Sequence, residues 1–316
     1  MSFTADVKQE ISLRELSGNE ERAALSALIQ MTSSLLITHG GLALLIKTEN
    51  GPVSRAIYRM VRERYQVEII PSVKRRMNLK KNLIYELRLQ GDVRSILEDL
   101  GIYSLQGLRD VPLRSIVRTD AYARAYLAGA FMAEGSVNSP ATSNYHLEIK
   151  AANTRHAAFL CELMERFAID ARQVERRGRQ VVYIKSAEKI ADFLRAVEAS
   201  ENLMRFEDMR ISRDMSNSIQ RLNNVEIANE LKSFNAAKNQ LEDIAVLQKY
   251  GKLRDLDEKL KDIAELRLED PEASLSELSE IYRLRTGNIV SKSGMKHRFV
   301  RIHELAQKVK NQYEPE

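Results

Sequence analysis

The stretch YLAGAFMAEGSV, Tyr126–Val137, decides the fold, because it sets five alanine or glycine residues beside one carboxylate. Small side chains let two helix backbones approach closely, since side-chain size sets the distance between helix axes. Ala128, Gly129 and Ala133 therefore predict a helix that packs against a partner helix. Glu134 lies at the end of this helix, where it is either a metal ligand or an acid with only a structural role.

The partner helix is predicted by an internal repeat. At an offset of 102 residues, Leu25 aligns with Leu127 and Ser34 with Ser136. Both copies predict the same order of elements: helix, strand, helix, strand, strand, helix. Two such copies commonly pair about a pseudo-twofold axis. We therefore expect the helix that carries Ala24, Ser26 and Ala27 to pack against the helix of the quoted stretch.

Hydrophobic periodicity gives the bounds of these elements. The first copy has predicted helices over 21–33, 53–64 and 93–100, and predicted strands over 42–47, 67–73 and 83–89. The second copy has predicted helices over 121–133, 155–167 and 187–197, and predicted strands over 145–151, 172–176 and 181–184. The repeats thus cover residues of about 20–100 and 121–200 within a first domain, 1–205.

A polar, weakly periodic segment over 206–223 is interpreted as a linker to a helical domain over 224–316. Apolar spacing predicts helices over 224–248 and 256–268. Ser274 and Glu277 form a capping-box pattern for a short helix, a turn with Gly287 follows, and a longer helix begins near Ser291. Short helix, turn and longer helix is the layout of a helix-turn-helix, whose second helix enters the major groove of DNA.

Basic residues cluster in three segments, although the net charge of the chain is only +5. From Ser291 to Lys310 there are six Lys or Arg residues against one acid. Two predicted hairpins of the repeats, at equivalent places, each carry five basic residues, which indicate either protected sheet edges or a second DNA-facing surface. The predicted recognition-helix contacts are Lys292, Ser293, Lys296, His297, Arg298 and Arg301. The predicted hairpin contacts are Lys74, Arg75, Arg76, Lys80, Lys81, Arg176, Arg177, Arg179 and Lys185.

The segment LAGAFMAEG, Leu127–Gly135, resembles the LAGLIDADG signature of homing endonucleases. The resemblance implies two paired helices that each deliver one acid to divalent metal ions over the scissile phosphates, with Glu134 as one acid. Metal-assisted cleavage needs carboxylates at both positions. At the offset of 102 residues Glu134 falls on Thr32, a neutral hydroxyl. We therefore interpret Glu134 as a relic of a metal site that now caps the following backbone or pairs with an Arg.

The whole chain resembles the WhiA proteins, DNA-binding regulators of sporulation and cell division in Gram-positive bacteria. The residues that carry this resemblance are AEGS with Pro140, PEASLSELSE from Pro271 and SKSGMKHR from Ser291. It implies an α+β fold class, in which a duplicated LAGLIDADG-like saddle domain is followed by an all-α helix-turn-helix domain. It also implies a sequence-specific transcriptional regulator, not an enzyme. A metal-dependent LAGLIDADG endonuclease and a cell-division interaction protein with secondary DNA binding stay open as alternatives.

The sequence contains none of the common motifs for metal binding, nucleotide binding or thiol chemistry. There is no CxxC pair, no GxxxxGK[ST] loop and no HExxH, and the five His residues are scattered. Cys161 is the single cysteine, which is typical of a buried thiol in a reducing compartment. No apolar run spans a bilayer. We expect no cofactor and no metal, a cytoplasmic, nucleoid-associated protein, and double-stranded DNA and other transcription or cell-division proteins as partners.

Overall fold

The structure is a computed structural model that describes residues 2–38, 41–75, 83–142 and 144–313. The chain divides into two compact units, Met1–Asp214 and Met215–Glu316. The first unit contains both repeats and the second is helical. In the described part of the chain, no helix is both long enough and apolar enough for a membrane span.

The first repeat follows an N-terminal helix, α1 (Phe3–Ser12). Its elements in chain order are α2 (Gly18–Thr32), β1 (Ser33–Thr38), β2 (Gly41–Thr48), α3 (Gly51–Arg64), β3 (Glu68–Arg75), β4 (Leu83–Gln90) and α4 (Val93–Asp99). A short hairpin, β5 (Tyr103–Ser104) and β6 (Gly107–Leu108), and one 3-10 turn, Arg114–Val117, lead to the second repeat.

The second repeat has the same architecture. Its elements are α5 (Asp120–Glu134), β7 (Gly135–Val137), β8 (Leu147–Lys150), α6 (Thr154–Glu165), β9 (Arg172–Arg176), β10 (Arg179–Ile184) and α7 (Ala187–Ala196). The two antiparallel sheets have equivalent strand orders, β1-β2-β4-β3 and β7-β8-β10-β9. The β3–β4 and β9–β10 hairpins therefore occupy the same edge of each sheet.

Several elements of the first unit are absent from the sequence prediction, among them the short β5–β6 hairpin. Strands β1 and β7 were missed, because each begins at the residue after a helix ends and β7 has only three residues. Helix α1 was missed because its apolar residues are few; Phe3, Val7 and Ile11 nevertheless lie in the core. The observed order in each repeat is thus helix, strand, strand, helix, strand, strand, helix.

Helices α2 and α5 pack against each other as predicted. A Cβ built on Gly129 would lie 2.3 Å from the carbonyl oxygen of Ala24, so only glycine allows this approach. Ala24, Ala27 and Ala128 are buried in the same hydrophobic core. Close backbone contact between the two repeats therefore holds their sheets on one shared core.

A buried polar network also joins the repeats. The Tyr126 hydroxyl on α5 donates to Gln30 Oε1 on α2 (2.9 Å) and lies 2.8 Å from His156 Nε2 on α6. The backbone N–H of Ala152 donates to His156 Nδ1 at 3.2 Å, so Nε2 must carry the ring proton and donate to Tyr126. Burial lowers the pKa of His156 to about 4, which keeps the imidazole neutral at physiological pH.

Residues 206–223, which the sequence predicts to be a linker, lie inside a continuous helix, α8 (Ser200–Lys249). The boundary between the two units falls within this helix, between Asp214 and Met215. The N-terminus of α8 is fixed in the first unit, because the Glu10 carboxylate accepts hydrogen bonds from the backbone N–H groups of Glu201 (2.7 Å) and Asn202 (3.0 Å). The predicted start of helix at 224 is therefore wrong, since α8 begins at Ser200.

The second unit completes α8 and adds α9 (Glu258–Glu269), α10 (Leu275–Thr286) and α11 (Lys292–Tyr313). Its separate core contains Ile244 of α8, Ile263 of α9, Leu278 of α10 and Phe299 of α11. Arg267 is almost fully buried in this unit; its side chain bonds Gln240 and the backbone carbonyl oxygens of residues 270, 271 and 273. These bonds fix the loop between α9 and α10.

Candidate nucleic-acid interface

The turn between α10 and α11 is fixed by local hydrogen bonds. The Ser274 and Glu277 pair forms the predicted capping box of α10, with the Ser274 N–H donating to Glu277 Oε2 at 2.7 Å. Gly287 ends α10 at a φ of 69°, a left-handed conformation that favours glycine. The Ser279 hydroxyl donates to the Val290 carbonyl oxygen, and Ser291 Oγ accepts the Gly294 N–H (3.2 Å) at the start of α11.

Helix α11 has one apolar side and one basic side. Met295, Phe299, Ile302 and Ala306 are buried in the core of the second unit. Side chains three and four residues apart share a helix face, so the positions between these residues point away from that core. The first two turns of α11 consequently present polar and basic groups to solvent.

The structure brings five of the six predicted recognition-helix residues to this exposed side. Lys292, Ser293, Lys296, His297 and Arg301 are all exposed. Arg301 forms an ion pair with Glu304 at 2.7 Å. An exposed ion pair of this kind has little net stability, so the Arg301 guanidinium remains available to another anion.

Arg298 has a different environment from the other five residues. Its guanidinium carbon lies 5.0 Å from the ring centroid of Tyr282 on α10. Its Nη1 atom is buried and, among the described residues, has no hydrogen-bond partner. Arg298 thus packs α11 on α10 through a cation–π contact, and an alanine at this position would disturb the motif as well as remove charge.

The second-repeat hairpin places basic residues on the face of its sheet that lies opposite the core. Leu147 and Ile149 are buried, so the alternation of a strand puts Glu148 and Lys150 on the other face. Strand register puts three hairpin residues on this face as well. Tyr183 pairs with Glu148, Arg179 lies four residues before Tyr183 on the same strand, and Arg176 pairs with Arg179.

The half-buried ring of Tyr183 lies among the charges of this face, which we call the basic sheet face. The Arg176 guanidinium and the Lys185 ammonium lie 5.8 Å and 5.4 Å from the Tyr183 ring centroid. Arg176 also lies 3.7 Å from Glu148, while Arg179 is exposed. Arg177 lies in the hairpin turn at a positive φ of 52°.

The first-repeat hairpin is described only in part. Lys74 and Arg75 end β3 and are exposed, whereas Arg76, Lys80 and Lys81 lie outside the described residues. Lys74 Nζ lies 2.8 Å from Glu86 Oε2, and Lys47 Nζ lies 3.4 Å from Glu86 Oε1. These two lysines hold the pKa of the buried Glu86 carboxyl below its usual range. Sequence periodicity did not identify Glu86, because its contacts with the two lysines become visible only when the pairing of the strands is known.

The C-terminal ends of α2 and α5 hold the site where the fold family would carry metal ions. Thr32, at the end of α2, donates its hydroxyl to the Leu28 carbonyl oxygen of its own helix at 2.6 Å. Glu134, at the end of α5, lies 3.8 Å from Lys150 Nζ, so its partner is this lysine rather than the Arg or backbone cap that the sequence predicts.

The same carboxylate also acts on a second lysine. Burial lowers the pKa of Lys8, on α1, to about 8; the charge of Lys150 acts in the same direction, and Glu134 and Glu49 oppose it. We call Lys8, Glu134 and Lys150 the acid-end cluster. Carboxylate oxygens are the ligands that Mg²⁺ requires. Here the Thr32 hydroxyl bonds its own helix, and the Glu134 carboxylate faces ammonium groups. These residues do not fit a divalent metal ion.

The residues that the structure describes contain no group of three or more His, Cys, Asp or Glu side chains that could hold a metal ion.

Family models match the chain in three consecutive parts. They are described as the WhiA N-terminal LAGLIDADG-like domain, over residues 19–103, the WhiA LAGLIDADG-like domain, over 123–216, and the WhiA C-terminal HTH domain, over 219–306. Two LAGLIDADG-like repeats followed by a helix-turn-helix define the class of protein to which this chain belongs.

Curated relatives identify the family within that class. The chain is 40% identical over 310 residues to the probable cell division protein WhiA of Ligilactobacillus salivarius (strain UCC118), covering 98% of each chain. It is 41% identical over 310 residues to the protein of the same name in Enterococcus faecalis (strain ATCC 700802 / V583), covering 98% of this chain and 99% of that one. The chain belongs to the WhiA family.

A solved structure has the same fold. Full-length DUF199/WhiA from Thermatoga maritima aligns with a TM-score of 0.58 at 23% identity and covers 98% of this chain and 99% of that chain. The α+β architecture and the family resemblance expected from the sequence are thus confirmed.

Proposed function

We propose that the chain is a sequence-specific transcriptional regulator that binds double-stranded DNA and acts in cell division and sporulation, without nuclease activity. One observation carries this proposal: the first two turns of α11 present exposed basic and polar side chains from a capped helix-turn-helix. Such binding would place the protein on the nucleoid, beside other transcription or cell-division proteins.

The chemistry of α11 suits both parts of a DNA contact. The unpaired N–H groups and positive dipole end of a helix N-terminus attract a phosphate, and Lys292 adds a charge at this end. Lys296 lies one turn further along the same face, within reach of a base edge or a second phosphate. Ser293 and His297 add hydrogen-bonding groups to that turn. Base contacts would supply sequence preference, while phosphate contacts would fix the register of the helix on DNA.

The basic sheet face supports a second, sequence-independent contact. Arg176 and Lys185 lie beside the Tyr183 ring, and exposed Arg179 belongs to the same β9–β10 hairpin. Lys74 and Arg75 end β3, in the equivalent hairpin of the other sheet. Charge of this kind adds affinity that falls steeply with salt and carries no base information. We propose that both hairpins contact the DNA backbone.

Substitution of Lys292 and Lys296 by Ala tests the role of α11. If both side chains neutralise phosphates, the slope of log affinity against log salt concentration should be smaller in magnitude by about 1.8 for the variant. A matched control is Lys308→Ala with Lys310→Ala, which removes equal charge from exposed positions about 24 Å further along the same helix. The control should keep site-specific affinity within about threefold. Equal losses in both variants would refute the assignment of the recognition helix.

The absence of nuclease activity is supported by the C-terminal ends of α2 and α5, where Thr32 supplies no carboxylate and Glu134 faces Lys150. Incubation of supercoiled plasmid with full-length protein and Mg²⁺ or Mn²⁺ tests this point. Intact plasmid at every protein concentration is the expected result. Metal-dependent nicking that disappears in Glu134→Gln would show instead that the site is catalytic.

A further inference from the structure

Helix α1 brings a lysine to the position where the fold family would hold metal ions. The Thr4 side chain accepts the Val137 N–H (2.9 Å) and donates to the Val137 carbonyl oxygen (2.8 Å), which fixes α1 against β7, the strand after Glu134. Lys8 lies one helical turn beyond Thr4, and its Nζ lies 6.0 Å from the ring centroid of Phe131. Phe131 in turn precedes Glu134 by three residues on α5, so α1 delivers this ammonium group to the end of the paired helices.

The charges around Lys8 come from several elements. Glu134 on α5 and Glu49 after β2 favour its protonated form, whereas Lys150 on β8 opposes it. Lys150 itself lies 3.8 Å from Glu134 Oε2. A carboxylate from each repeat thus acts on the charge of a half-buried ammonium group that neither repeat supplies.

We propose that the ammonium groups of Lys8 and Lys150 take the place of a divalent metal ion at the ends of the paired helices. An isolated carboxylate that is partly removed from water is unstable unless a positive charge compensates it. A bound ion supplies that charge only while the metal concentration is sufficient. A lysine side chain is part of the protein and supplies this positive charge permanently, so the acid-end cluster keeps its charge balance in the absence of any metal.

A double-mutant cycle on the full-length chain tests this inference. Lys8→Met keeps the apolar contact with Phe131 but removes the charge, so Glu134 loses a counter-ion and the first unit should unfold at a lower temperature. Glu134→Gln in the same chain should restore roughly half or more of that loss, because the uncompensated charge is then gone. Additive effects of the two substitutions would overturn the proposal, since Lys8 would then act through packing alone.

Metal sensitivity gives a second readout that packing alone would not move. Millimolar Mn²⁺ should leave the Tm of the wild-type protein unchanged and raise the Tm of Lys8→Met by at least about 2 °C. The rise should vanish in Lys8→Met with Glu134→Gln. An equal response of wild type and Lys8→Met to Mn²⁺ would refute the replacement of a metal by lysine.

Lys189→Met is the matched control, because Lys189 also pairs with a carboxylate in the first unit, lying 3.2 Å from Asp192 Oδ2 on the same helix. It should show no response to Mn²⁺. If Lys8→Met does not fold, Lys8→Arg should fold with no Mn²⁺ response, and adding Glu134→Gln to Lys8→Met should restore folding. Failure of that rescue would count against the proposal. None of these outcomes depends on DNA binding.

Discussion

Gly129 is the position at which the pairing of the two repeats can be tested most sharply. In Gly129→Ala the new Cβ would lie 2.3 Å from the Ala24 carbonyl oxygen and 3.0 Å from the Ala24 carbonyl carbon and Cα, where ordinary contacts begin at about 3.4 Å. Helices α2 and α5 must therefore separate by about 1 Å. A backbone carbonyl cannot rotate away as a side chain can, so the strain reaches the core that both repeats share.

The magnitude follows from two opposing effects. Overpacking of a dense core costs about 1–3 kcal/mol, and the upper end applies because the obstacle is backbone. Alanine in a helix interior gains about 1 kcal/mol over glycine. The net loss should be about 2 kcal/mol, which corresponds to a fall in Tm of about 4–8 °C for a unit of this size.

Thermal and urea unfolding of the full-length chain measure this loss, with Gly18→Ala as control. Gly18 lies at the start of α2, and a Cβ built there has no atom within 4 Å, so this variant should differ from wild type by less than about 0.5 kcal/mol. A Gly129→Ala protein as stable as wild type would show that the close approach of the helices is incorrect.

Three further expectations concern single side chains. The pKa of His156 is about 4 in the folded chain and 6.5 ordinarily, so the unfolded chain binds the proton more tightly. The free energy of unfolding therefore has its full value above about pH 6.5 and should fall by about 2 kcal/mol between about pH 7 and 5. Urea midpoints across this range should show a smaller fall for His156→Gln. Ser274→Ala removes the cap of α10 and should lower stability by about 1 kcal/mol, seen as a lower melting temperature of the second unit, whereas exposed Ser293→Ala should not. Arg267→Met leaves buried carbonyl oxygens unpaired and should cost about 3 kcal/mol in chemical denaturation; an unchanged midpoint would contradict the bonds assigned to it.

The paired helices could be predicted because their pattern is local and repeated. The first and last residues of α2 and α5 differ by 102 positions, which is the offset that aligns Leu25 with Leu127. Tight helix packing demands small residues at fixed positions, and these are visible in one sequence as alanine and glycine. The helix-turn-helix was visible for a similar reason, since the Ser274 cap and Gly287 mark its turns.

The continuous helix over 206–223 could not be predicted in the same way. Most of this segment is exposed, so no buried face imposes a hydrophobic period on it. The proposed role of Lys8 also gave no signal in the sequence, because α1 meets α5 and β7 only through long-range packing. Thr4 and Val137 are 133 residues apart in the chain, and no periodicity links them.

The proposed reading of DNA by α11 is tested most directly by the set of genomic fragments that the protein enriches in vitro at physiological salt. Full-length wild type, Lys292→Ala with Lys296→Ala, and Lys308→Ala with Lys310→Ala should be compared side by side. We expect wild type and the Lys308 and Lys310 variant to enrich the same fragments with a shared sequence motif, and the Lys292 and Lys296 variant to lose that motif while retaining weak, salt-sensitive binding. Enrichment of the same motif by all three proteins would contradict recognition through α11.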